Sequence, residues 1–337
     1  MDAEVAKPST CTTGKSRPLR NGQTPCHHGG MLNRSPRFRR IPSIRPFLLT
    51  ERDRGIIRIV HRHRFIRSHQ IAILLGGSQQ AIVRRLQLLF QHGYLERPRV
   101  QLQFVEGGGS QAIAYGLGKK GAAMLRQERD MPAEVITENP RHDAVGGIFL
   151  AHTLLVSSVM VSLELACRKH GIRLLYENKL ALPVEKRPFQ WWVKIAGGIK
   201  LGVIPDVVFA LEYTDMNGQK QRAYFFLEAD RGTMPVVRKK LVQTSFYRKL
   251  LAYEATWTNK VHQRHLGIPR FRVLTVTTIP ARIESLLKAC SQLQRGHGLF
   301  LFTDSSALEK DLFAAVWRCG KGGAPSCLLD DLLALAA

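Results

Sequence analysis

Two short runs limit the architecture of this chain more than anything else in it: Val203-Ile204-Pro205-Asp206-Val207-Val208-Phe209 and Ala223-Tyr224-Phe225-Phe226-Leu227-Glu228-Ala229-Asp230-Arg231. Both are rich in β-branched and aromatic residues, and Thr214-Asp215-Met216-Asn217-Gly218 lies between them. That pattern predicts two neighbouring antiparallel strands. In a hairpin the start of the first strand lies beside the end of the second. Asp206 and Glu228 are therefore expected at one edge of the sheet, with Asp230 close by. Carboxylates gathered there repel one another unless a cation lies between them, and hard oxygen ligands suit Mg²⁺ or Mn²⁺. The plainer alternative is strand-end acids that point into water.

Charge points to a partner. The 337 residues carry 50 Lys+Arg against 26 Asp+Glu, a formal +24. The excess is spread along the chain, +7 over residues 1–46, +8 over 47–131 and +9 over the remainder. A field of this sign favours a polyanion, and each neutralised phosphate adds salt-sensitive affinity. No run is read as the roughly 20 apolar residues a bilayer span needs, so nucleic acid is preferred to a membrane. Six cysteines lie scattered without a C-x-x-C pair and no signal-peptide region precedes them, which predicts a reduced, cytoplasmic setting.

Residues 1–46, rich in Pro, Gly, Ser, Thr and Arg, are expected to be a disordered basic tail. Arg34, Arg37, Arg39, Arg40 and Arg45 would form an arm able to lie on phosphates. Gly14-Lys15-Ser16 lacks the first glycine and the preceding strand of a phosphate-binding loop, and Cys26-His27-His28 lacks a second half for zinc. Met31 is an alternative translation start.

Residues 47–131 predict a winged helix-turn-helix DNA-binding domain. Thr50-Glu51-Arg52-Asp53 opens a first helix with a capping box, Ser68 a second, and Ser78 a third in which Ile82, Leu86, Leu89 and Phe90 make one buried face. Strands at 94–97 and 112–115 flank Gly107-Gly108-Gly109 as a wing, and a helix over 119–127 closes the domain. Gln79, Gln80, Arg84 and Arg85 fall on the polar side of the third helix, where such residues read bases or hold phosphate.

A linker over 129–142 leads to a long apolar helix over 143–170 carrying His152. A strand at 172–176 and Trp191-Trp192 on a further strand precede the acidic hairpin. Gly232-Thr233-Met234-Pro235 predicts the start of a helix running through Lys240 to Tyr253. A strand at 271–277, a helix at 280–290, a strand at 299–302 and a helical extension over 305–337 complete an α/β (α+β) chain.

With Pro205-Asp206 on one strand and Glu228-x-Asp230 on the next, the order α-β-β-β-α-β resembles the PD-(D/E)xK nuclease-like superfamily, a restriction-endonuclease-like domain over 143–304. More narrowly, residues 47–290 are similar to the bacterial replication-relaxation family. His152, Pro205-Asp206, the run Phe226 to Thr233, and Lys240-Leu241 followed by Tyr247 carry that likeness. The resemblance implies a protein of plasmids or other mobile elements that works on double-stranded DNA with replication or mobilisation proteins. It also implies Mg²⁺ or Mn²⁺ held by Asp206, Glu228 and Asp230. The chain departs from the nuclease pattern where Asp230 replaces the lysine expected two residues after the glutamate; Lys240 is the substitute, and Arg231 is nearer but stays charged. Three readings follow: a nicking or cleaving enzyme, a nuclease-like accessory protein that binds without cutting, or a transcriptional regulator. Winged helices often work in pairs, so a homodimer is among the expected partners.

Overall fold

The computed structural model describes residues 37–41, 47–104, 112–128, 145–180, 182, 189–215 and 217–328. Most of the expected tail with its Cys-His-His and Gly-Lys-Ser fragments, the glycines expected at a wing tip and the linker expected over 129–142 lie outside them. Arg40 is described, and it does not extend from the surface. Its guanidinium donates to the carbonyls of Phe90 (2.7 Å) and Leu95 (3.0 Å) and pairs with Glu96 at 2.5 Å.

The N-terminal module opens with α1 (Glu51–His63). Thr50 and Asp53 cap it reciprocally: Thr50 Oγ1 accepts from the Asp53 N–H at 3.3 Å, and Asp53 Oδ2 accepts from the Thr50 N–H at 2.8 Å. A strand the helical periodicity concealed, β1 (Phe65–Arg67), runs straight into α2 (Ser68–Leu75), so the cap position is Arg67 and Ser68 is already helical. Gly76 and Gly77, at φ 71° and 87°, make the turn to α3 (Gln79–Gln91), which Ser78 caps. Then come β2 (Leu95–Glu96), β3 (Ala114–Leu117) and α4 (Lys119–Arg126). The strands form an antiparallel sheet in the order β1-β3-β2. Ile56, Val60, Ile71, Ile82, Leu86 and Leu89 fill the core between helices and sheet.

The second module is a seven-stranded mixed sheet. After α5 (Gly147–His170) come β4 (Arg173–Tyr176), β5 (Trp191–Lys194), β6 (Lys200–Val203), β7 (Val207–Thr214) and β8 (Lys220–Asp230). They are followed by α6 (Phe246–Thr258), a short α7 (Val261–Arg264), β9 (Phe271–Thr277), α8 (Arg282–Cys290) and β10 (Phe300–Asp304). The sheet order is β12-β11-β10-β9-β8-β7-β4, with β8, β9 and β10 parallel and the other neighbours antiparallel. Where a helical extension was expected over 305–337, a 3-10 turn (Ser305–Glu309) is followed by the outer strands β11 (Val316–Cys319) and β12 (Ser326–Cys327), and residues 329–337 lie outside the described ones. Val316 is exposed and Trp317 fully buried, so burial alternates there as in a strand although the residue types do not.

Alternation along β7 and β8 separates two cores. Phe209, Leu211, Phe225 and Leu227 face α5; Val208, Ala210 and Phe226 face α6, α8 and the β5–β6 ribbon. The hairpin turn is held by Asp215 Oδ1, which accepts from the N–H groups of Asn217 (2.9 Å) and Gln219 (2.8 Å), with Gly218 at φ 76°.

Helix α5 carries apolar residues on most of its circumference, and one 18-residue window of its 24 residues, with mean hydropathy 1.8, is long and apolar enough to cross a bilayer, contrary to the expectation from sequence. Packing on two sides accounts for this composition. Val159, Leu163 and Cys167 lie on the sheet, while Leu150, Leu154 and Val161 pack against the N-terminal module. Ser157 Oγ lies 3.0 Å from the His63 carbonyl oxygen and 2.6 Å from that of Phe65. Gln70 donates to Ser158 Oγ at 2.9 Å, and Arg168 donates to the Leu74 carbonyl at 2.7 Å.

Candidate functional site

The hairpin register fixes the first two site residues. Val207 pairs with Leu227, so the preceding Asp206 falls beside Glu228, and the Asp206 N–H donates to the Leu227 carbonyl at 3.0 Å. Asp206 Oδ2 accepts from the Ala229 N–H at 2.7 Å, and its Oδ1 lies 3.0 Å from His152 Nε2 on α5. Burial raises the Asp206 pKa, but the His152 hydrogen bond, the nearby Lys249 charge and the Ala229 N–H outweigh it and leave the carboxyl below its usual value.

Glu228 is only 2% exposed. Its Oε1 accepts from the Tyr253 hydroxyl at 2.6 Å, and its Oε2 is paired with the Lys249 ammonium. Both partners come from α6, capped by Ser245 Oγ, which accepts from the Arg248 N–H at 3.4 Å. Lys249 and Tyr253 are four residues apart and so share a helix face. Burial pushes Glu228 up and Lys249 down, yet the carboxylates of Glu228 and Asp206 more than restore Lys249 and leave it raised. Lys249 keeps 34% of its side chain exposed and lines a cleft of about 250 Å³ together with Val203, Ile204, Glu228, Ser245 and Tyr253.

Two expectations are corrected here. Asp230 does not join Asp206 and Glu228, because it is paired with the Arg282 guanidinium of α8, accepts from Thr277 Oγ1 at 3.1 Å and from the Gly232 N–H at 3.2 Å. A charge so satisfied serves the β8–α8 junction. Lys240 is exposed in the irregular segment before α6, because the helix expected from Gly232 onward begins only at Phe246. The lysine on the glutamate is Lys249. Its signal was present in the sequence: Phe246, Lys249, Leu250 and Tyr253 follow the i, i+3, i+4, i+7 pattern behind Ser245.

Among the described residues no group of three or more His, Cys, Asp or Glu is arranged to hold a metal ion. Asp206 and Glu228 form a narrower donor set of hard oxygens. That set still fits Mg²⁺ or Mn²⁺, since Mg²⁺ commonly takes one or two carboxylates and completes its shell with water and phosphate oxygens.

On the N-terminal module, Gln79, Gln80 and Arg84 are exposed on α3. Arg85 is not available in the same way. Its Nε donates to Asp53 Oδ1 at 2.8 Å, and its guanidinium lies 5.0 Å from the centre of the Phe47 ring. Asp53 is fully buried, so this pair ties α3 to the cap of α1.

No curated protein and no solved structure is detectably similar to the chain. The sequence does match the replication-relaxation family over residues 57–270, a span that takes in α2, α3, the acidic hairpin and Lys249. That span is more than half of the 337 residues, and the chain therefore belongs to the replication-relaxation family.

Proposed function

We propose that this protein acts in the replication or relaxation of a plasmid or other mobile element by binding double-stranded DNA and nicking or cleaving it with Mg²⁺ or Mn²⁺. In this reading the N-terminal module is a winged helix-turn-helix and the sheet module is restriction-endonuclease-like. The observation that carries the enzymatic part is Lys249: its ammonium rests on Glu228 beside Asp206 and supplies the cation that Asp230 cannot. Asp206 and Glu228 would hold the metal ion, which supplies Lewis-acid stabilisation of charge on a scissile phosphate. Lys249, in the lining of the cleft, would orient a water molecule and offset negative charge on the phosphate oxygens. Tyr253 fixes the Glu228 carboxylate, and His152 and the Ala229 N–H fix that of Asp206.

A second reading is favoured by one observation. Every oxygen of Asp206 and Glu228 already has a hydrogen-bonding partner within the chain, so the pair is stable without a metal. On that reading the protein binds DNA and does not cut. Incubating supercoiled plasmid with Mg²⁺ or Mn²⁺ separates the two. Cleavage predicts nicked circles from wild type and none from Asp206→Ala/Glu228→Ala or Lys249→Ala. Intact supercoils with wild-type protein, under conditions where it binds the plasmid, reject the enzyme.

A further inference from the structure

The β5–β6 ribbon has one face in the core and one in water. Trp191, Val193, Leu201 and Val203 are buried. The register pairs Trp192 with Gly202 and Lys194 with Lys200, so these four residues share the outward face. Trp192 is 57% exposed. Its six-membered ring lies over Gly202, where a Cβ would come within 3.2 Å of it, and Lys200 Nζ is 5.1 Å from the ring centre. Lys194 and Lys200 are both exposed. An exposed aromatic surface beside a cross-strand pair of lysines, on a chain of formal charge +24, is suited to a polyanion with flat rings.

We propose that this face is a stacking platform for an unpaired strand of DNA. A nucleobase stacks on Trp192, and the adjoining phosphates are neutralised by Lys194 and Lys200. Stacking requires a base that is not paired within a duplex, since only then is its whole face open to an aromatic side chain. The ribbon also adjoins the candidate site. Its strand β6 leads through Ile204 and Pro205 to Asp206, and Gly202, Val203 and Ile204 line the cleft that holds Glu228 and Lys249. Delivery of the strand to that cleft rests on the proposed nuclease reading; binding to the ribbon does not.

The test uses the full chain, a fluorescently labelled oligo(dT) strand and a duplex of equal length, with affinity read by anisotropy over a range of salt. Trp192→Ala is expected to weaken oligo(dT) binding by about tenfold or more while duplex affinity holds. Trp192→Phe keeps a stacking surface and is expected to retain most of the affinity. Lys194→Gln with Lys200→Gln keeps the ring and is expected to flatten the slope of log K against log salt by about 1.4, the value for two phosphates on a single strand. Melting curves matching wild type check that the variants are folded, and the lysine pair tests the surface independently if truncating Trp192 disturbs the ribbon. Wild-type oligo(dT) affinity in Trp192→Ala, or equal loss on duplex and single strand, overturns the platform. Absence of plasmid nicking with Trp192-dependent oligo(dT) binding intact rejects the cleavage reading alone.

Discussion

Glu228 shows how much a single carboxylate depends on its neighbours. With 2% of its surface exposed it is stable only because Lys249 and Tyr253 both engage it. Lys249→Ala is expected to destabilise the protein by about 2 kcal/mol, less than a fully buried pair because the ammonium keeps about a third of its side chain exposed. Adding Glu228→Gln should restore much of that loss, which denaturant titration of the three variants would show. His63 gives a pH dependence of its own. It is buried where α1 meets α5, its Nε2 has no hydrogen-bond partner among the described residues, and burial, reinforced by the Arg62 charge, lowers its pKa to about 4. The unfolded chain therefore takes up this proton first, at about 6.5, so the contribution is complete above that pH and is lost as pH falls toward 4. On the order of 3 kcal/mol is at stake in that window. Melting temperatures at pH 7 and pH 5 should differ more for wild type than for His63→Gln. The sequence displayed Asp206 and Glu228 through hairpin register alone. It concealed the destination of Asp230, because Arg282 lies 52 residues away and no local pattern announces that pairing.

Helix α3 separates two arginines that look alike in sequence. Arg84 faces solvent, whereas Arg85 reaches the buried Asp53. Arg84→Ala is expected to weaken duplex binding and lower its salt slope by about 1, with little change in melting temperature. Arg85→Ala is expected to act chiefly through folding, since it strands a buried carboxylate at the α1 cap, a loss of about 3 kcal/mol or more by thermal or denaturant unfolding. Unchanged DNA affinity in Arg84→Ala across salt concentrations would remove α3 from the interface. The other helices show where periodicity succeeds and where it fails. The helices α1 and α3 were visible because a buried face repeats over several turns, and α5 because its apolar run is long. Proline at 235 suggested a helix start that the chain does not use, and the three residues of β1 are too few to show alternation. At the C-terminal end, β11 and β12 owe their form to pairing with β10 and each other rather than to local preference.

At the scale of the molecule the two modules share α5, and residues from Phe38 onward cluster as one unit. The boundary expected near residue 142 marks a change in composition, yet the N-terminal module closes its core on a helix that belongs to the sheet. That seam was not legible in sequence, because a helix apolar on most of its circumference does not say what covers each side. A chain beginning at residue 145 would expose Leu150, Leu154 and Val161, each worth about 1.5–3 kcal/mol when fully buried. Such a truncation is expected to melt well below the full chain, and equal melting temperatures would show that the seam contributes little. The sharing of α5 also constrains construction: a chimera that exchanges one module between relatives has to be cut through this rod or carry it along. Residues 147–170 are then best inherited whole with whichever half supplies His63 and Phe65, and a splice that ignores this would set foreign side chains against both layers at once.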